Sequence, residues 1–110
     1  MRKYTFIAFS LAAVVVSGCA THSQNPIDRL TFRAEPLVKD VEHGMSQERV
    51  LAIGGEPSSV TPRNARPGLC QEYVLYHDGE QNPYFVSFDA DGRVDGKGFL
   101  TCAQLDENQR

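Results

Sequence analysis

The apolar stretch near the start of the chain limits the fold most, because it takes itself out of the folding problem. Arg2 and Lys3 put two positive charges at the N-terminus, and residues 6–16 are then apolar apart from Ser10. A charged start followed by an apolar run of about 7–15 residues is the pattern of a secretory signal. A membrane-spanning helix needs about 20 apolar residues, so this run is too short to cross a bilayer comfortably. It closes at Val16-Ser17-Gly18-Cys19 and gives way to polar sequence. Removal of residues 1–18 takes away the most hydrophobic segment. The fold must then be built from the 92 residues that follow, which make one small domain.

An apolar residue, two small residues and a cysteine at this position resemble the lipobox of bacterial lipoproteins. The resemblance implies that a diacylglycerol is attached to the Cys19 sulfur and that the signal is cut just before it. Cys19 is then a thioether, unavailable for redox or metal chemistry. Ala20 is not the Asp that retains such proteins in the inner membrane of enteric bacteria, so the expected site is the outer membrane, periplasmic face. The cleaved chain carries 9 Lys and Arg against 14 Asp and Glu, a formal charge of −5. Phosphate-backbone binding needs clustered cations, and Arg63 with Arg66, in a Pro-rich loop, is the nearest approach to a cluster. Nucleic acid is therefore not an expected partner.

Residues 19–34 are polar with isolated apolar positions and read as a lipidated flexible tether. The domain is expected over residues 35–102, with residues 103–110 a polar tail. Pro36 suits the first position of a helix, and Leu37, Val38 and Val41 share one helical face up to a stop at Gly44. In "GMSQERVLAIGGEP", Ser46 can cap a second helix and Glu48 suits its positive end. Met45 and Val50 are spaced for a hydrophobic staple, and Val50, Leu51 and Ile53 give the apolar face. Gly54, Gly55 and Pro57 end the helix. Residues 58–69 read as loop. Residues 73–76, 84–88 and 94–101 read as strands, with a hairpin turn at residues 89–92. The expected fold is α+β: two short helices packed on a three-stranded antiparallel meander.

With Cys19 lipidated, Cys70 and Cys102 remain, and an even pair in an oxidising compartment predicts a disulfide. A straight third strand opposes it. The first and third strands of a meander run parallel, so Cys70 and Cys102 would lie at opposite ends of the sheet, while bridged Cα atoms come within about 7 Å. Gly96 and Gly98 offer an escape, because a bend there lets residues 99–102 double back. The bond is the prediction. The strands also carry large residues on both faces. Val86 and Phe88 make a better core pair than Phe85 with Ser87. Val74, Tyr76, Val86 and Phe88 are therefore expected inward. Tyr73, Leu75 and Phe85 are expected as an exposed partner surface, unless the tether or residues 58–69 cover it.

"VKDVEHGMSQERVLAIGGEPSSV", "GLCQEYVLYHDG", "PYFVSFDADGRV" and "GFLTCAQLD" together resemble the osmotically inducible members of the SmpA/OmlA (BamE-like) lipoproteins. The resemblance implies helices on an antiparallel sheet and a non-enzymatic lipoprotein of the Gram-negative envelope. It also implies a role in envelope integrity or outer-membrane protein assembly, with an outer-membrane or periplasmic protein as partner. No residue pattern here argues for chemistry. Asp89, Asp91 and Asp95 lack the remaining ligands of a calcium loop, and the stretch suffices as a turn. His22, His43 and His77 fit no zinc spacing, so no metal, cofactor or small-molecule substrate is expected. The other class to weigh is a periplasmic inhibitor, since β-lactamase inhibitor proteins have a similar helix-pair-on-sheet fold.

Overall fold

A computed structural model describes residues 21–110; the signal segment and Cys19 lie outside the described residues. Among the described residues, three helices come first: α1 (Pro26–Thr31), α2 (Pro36–Asp40) and α3 (Gln47–Gly54). The strands β1 (Ser59–Pro62), β2 (Leu69–His77), β3 (Glu80–Phe88) and β4 (Val94–Gly98) follow, and α4 (Cys102–Gln109) ends the chain. The sheet is antiparallel throughout, in the order β1-β2-β3-β4. The α+β class is as expected, with four strands rather than three.

The added strand lies in the segment read as loop. β1 is four residues long, has no buried residue and ends in Pro62, so neither alternation nor burial marks it. Its strand state comes from pairing with residues 69–72 of β2.

Local signals place α3 well. The Ser46 hydroxyl accepts from the Arg49 N–H at 3.2 Å, and Gly55, at φ +78°, follows the last turn. Val50 is fully buried and Met45 packs against the same core, but Leu51 faces solvent. α2 stops at Asp40, short of Gly44. The Lys97 ammonium reaches in from β4 and donates to the carbonyls of Val38 and Val41, at 2.8 and 2.6 Å. It satisfies acceptors that the end of a helix leaves free. Val41 leaves the helix in an extended conformation and inserts into the core.

Two expected boundaries are corrected. Residues 19–34 are not all tether. Asn25 caps α1 by accepting from the Ile27 N–H at 3.0 Å, and Phe32 is 1 % exposed, its ring 5.7 Å from that of Phe99. Gln24 accepts from the Phe99 N–H at 2.8 Å, and the His22 backbone exchanges two hydrogen bonds with the Asn108 side chain. Nor are residues 103–110 a loose tail. Thr101 and Gln104 form a capping box for α4, and Leu105 and Asp106 are buried. The packed body therefore begins near residue 22 and runs to the last helix. A six-residue helix with no buried side chain of its own carries no periodicity to read.

Two apolar clusters result. The larger fills the space between the N-terminal helices and one face of the sheet, around Phe32, Leu37, Val41, Val50, Val86 and Phe88. The smaller lies at α4 and holds Cys70, Phe85, Leu100, Cys102 and Leu105.

Candidate interaction surface

The β2–β3 register decides which side chains reach the surface. Asp78 (φ +48°) and Gly79 (φ +84°) form a two-residue turn between His77 and Glu80. Both central residues have positive φ, as the tightest hairpins require. The turn pairs Tyr73 with Tyr84, Gln71 with Val86 and Leu69 with Phe88. Cross-strand partners share a face. Tyr73 and Leu75, each 5 % exposed, therefore join the buried Tyr84, Val86 and Phe88 beneath the helices. The expected assignment of β2 is reversed: Val74 (38 %) and Tyr76 (64 %) are the exposed pair. Phe85 does lie on the opposite face from Val86 and Phe88, but it is 4 % exposed, inside the α4 cluster. None of Tyr73, Leu75 and Phe85 is a surface residue. The sequence signal for this face is Asp78-Gly79, since a two-residue turn sets the pairing parity of every residue in the hairpin.

The Phe85 face is closed by a bridge and a polar clamp. The chain does double back towards Cys70 as expected, but not at the two glycines: Gly96 and Gly98 lie within β4, paired with Ser87 and Phe85, and the chain turns only after them, over residues 99–101. Cys70 and Cys102 then stand 5.9 Å apart at Cα, with their sulfurs bonded. The Cys102 N–H donates to a Glu72 carboxylate oxygen at 2.8 Å. Arg63 is buried; it donates to the Phe88 carbonyl at 3.0 Å, to Asp95 at 2.9 Å and to the Gln109 side chain at 2.9 Å. Asp106 accepts from the backbone N–H groups of Asn64 and Ala65. Arg63 is thus a structural hub that fastens the β1–β2 connection to β4 and α4. Burial pushes the Asp95 carboxyl up. Hydrogen bonds from Arg63 and Ser87, with the charges of Arg63 and Arg66, outweigh this and hold it below the ordinary carboxylate value.

The exposed pair lies beside an open sheet edge. β1 pairs with β2 only up to Ser59 opposite Glu72, where the Ser58 N–H also donates to the Glu72 carbonyl at 2.8 Å. From Val74 to His77, no strand among the described residues pairs with β2 on this side. Alternate residues of an antiparallel strand turn both backbone groups the same way. Val74 and Tyr76 thus follow Glu72 and point their N–H and C=O groups at the open edge. A groove of about 640 Å³ runs along it, lined by Glu35, Leu37, Ile53, Glu56, Pro57 and residues 73–76 among others.

A second concavity, of about 300 Å³, gathers Arg29, Arg33, Lys39 and Lys97 beside Tyr84 and Phe99. Burial depresses the Lys97 pKa, helped by the nearby Arg29 charge and opposed by Glu42 and Asp40. Burial pushes the Tyr84 phenol up to about 12, opposed by Arg29. Among the described residues, no group of three or more His, Cys, Asp or Glu could hold a metal.

Helices come before an antiparallel sheet, a further helix covers part of the far face and one stretch of sheet edge is open among the described residues; the sequence places this fold in a family. The chain belongs to the BamE family, since residues 31–98 match the outer membrane protein assembly factor BamE domain. Within that family it is similar to the osmotically inducible lipoprotein OsmE of Escherichia coli K12, 39 % identical over 109 residues, which cover 96 % of this chain and 94 % of the relative. The OsmE of Escherichia coli O157:H7 matches equally well. A crystal structure of an osmotically inducible lipoprotein OsmE superposes with a TM-score of 0.74 at 57 % identity, covering 78 % of this chain and 99 % of that one.

Proposed function

We propose that this protein is a non-enzymatic envelope lipoprotein, held on the periplasmic face of the outer membrane by lipid on Cys19, where it binds another envelope protein. The observation that carries the reading is the exposed Val74 and Tyr76 beside an unpaired strand edge, on a scaffold tied together by the Cys70–Cys102 bridge. Family membership supports it, because the domain matched is that of an assembly factor. So does the length of the link to the membrane. His22 is already hydrogen-bonded to α4, and only three residue steps separate it from Cys19. Three steps span at most about 10 Å, so the domain stays close to the lipid surface. A partner fixed in the same membrane then meets it at high effective concentration.

The test has two arms in intact cells. Labelled fatty acid is expected to enter the wild type and not Cys19→Ala, which should leave the membrane fraction. Photo-crosslinking groups are placed in turn at Tyr76, Leu51 and Arg29, and adducts with an outer-membrane or periplasmic protein are expected. Failure of the label to incorporate would sink the anchor. Absence of adducts from every surface position would sink the binding role.

A further inference from the structure

We infer that the open edge of β2, residues 74–76, takes up an extended, basic segment of the partner as an additional strand of the sheet. The inference rests on the protein-binding reading above and specifies its mode. Native sheets blunt their edges with proline, lysine, short strands or bulges. The other two edges here carry such devices. β1 has Pro62 at its end, and β4 is five residues long, contains Lys97 and two glycines, and meets β3 through a register shift. The open half of β2 is short, but it carries no proline, lysine or bulge. Its residues are Val74, Leu75 and Tyr76, two of them the β-branched and aromatic types that favour strand pairing.

The geometry suits strand addition. Val74 and Tyr76 each offer one N–H and one C=O, enough for up to four backbone hydrogen bonds to an incoming chain. Side chains of an added strand alternate between two faces. On one they meet Val74 and Tyr76, which favours apolar or aromatic partners. On the other they enter the groove lined by Leu37, Ile53, Glu35 and Glu56. Among the described residues, no lysine or arginine lines that groove, and neither Glu35 nor Glu56 forms an ion pair. The complement is a lysine or arginine among apolar residues. The same charge argues against a second copy of this chain. Two copies joined edge to edge would crowd four carboxylates along one seam, and each cleaved chain already carries −5.

The test uses the full lipoprotein in cells, with a photo-crosslinking residue at Tyr76. Val74→Pro removes one outward N–H and leaves the β2–β3 ladder intact, because Val74 faces Pro83 in a pair that exchanges no hydrogen bonds. Val74→Ala keeps the N–H and serves as its control. Val74→Pro is expected to lower the adduct yield at least tenfold and Val74→Ala less than threefold. Glu35→Lys with Glu56→Lys is expected to lower it at least tenfold without touching the edge, which covers the case in which the proline variant fails to fold. The cross-linked partner peptide should contain a lysine or arginine within an alternating apolar stretch. Equal adduct yields in all variants would overturn strand addition while leaving the binding role standing. So would adducts only from Leu51 or Arg29, or an adduct with a second copy of this chain. Absence of adducts from every position would overturn both readings.

Discussion

Removal of the Cys70–Cys102 bridge should cost this domain a large part of its stability. The two cysteines are separated by 32 residues. On the chain-entropy account, closing a loop of that size removes about 12 cal/mol/K from the unfolded chain, or about 4 kcal/mol at 25 °C. Small domains are stable by only about 5–15 kcal/mol, so this is a dominant contribution. The folded side adds to it. α4 has eight residues, fewer than an isolated helix needs, and its anchors are the bridge, Leu105, and the Asp106 and Gln109 hydrogen bonds. The assay is equilibrium urea unfolding of the mature protein, oxidised, reduced, and as the Cys70→Ser with Cys102→Ser variant. With an m-value of about 1–2 kcal/mol/M, the midpoint should fall by about 2–4 M in both bridge-free forms. Amide exchange of residues 102–109 should accelerate before that of β2 and β3. A loss below about 1 kcal/mol would refute the loop-closure argument. Two titratable thiols in the unreduced, unfolded protein would refute the bridge itself.

Other substitutions probe the remaining contacts. Phe32→Ala should cost about 3–5 kcal/mol in urea unfolding, because a nearly fully buried ring is deleted; a residue in a free tether would cost nothing. Arg63→Met should cost about 3–5 kcal/mol, since it strands Asp95 and the Phe88 carbonyl, and a double-mutant cycle with Asp95→Asn should show strong coupling. Gly68 sits at φ +113°, and a Cβ there would lie 1.9 Å from the Phe88 carbonyl oxygen; Gly68→Ala should lower stability by more than about 2 kcal/mol, read as a fall in Tm. The folded Asp95 carboxyl titrates below its unfolded value of about 3.9, so its contribution is present above about pH 4 and lost as pH falls through the folded value. Thermal melts from pH 5 to pH 2 should show this acid loss in the wild type and less of it in Asp95→Asn.

The elements whose information is local were legible in the chain. Ser46, Glu48 and Gly55 bracket α3 because capping groups and a left-handed glycine act within a turn of themselves. Asp89 to Gly92 forms its turn through bonds between near neighbours, the Asp89 carboxylate accepting from the Asp91 and Arg93 N–H groups. Val86 and Phe88 read as core from their spacing alone, but the serine between them did not mark an outer face, since Ser87 is 1 % exposed and bonds to Asp95. What needed the tertiary structure was whatever has no meaning until a distant segment arrives. β1 is a strand only beside β2. Phe32 becomes core only when Phe99 lies against it, and α4 becomes a cover only once Cys102 has reached Cys70. The inner face of β2 was open in principle, since Tyr73 and Leu75 are as apolar as Val74 and Tyr76. The Asp78-Gly79 turn breaks that tie by parity, and the two faces are then filled from opposite ends of the chain. Helices packed before the sheet cover one, and a helix after it covers part of the other. The end of that second face which α4 does not reach is where Val74 and Tyr76 stay in water, because hydrophobic burial depends on which surfaces meet and not on which residues are apolar.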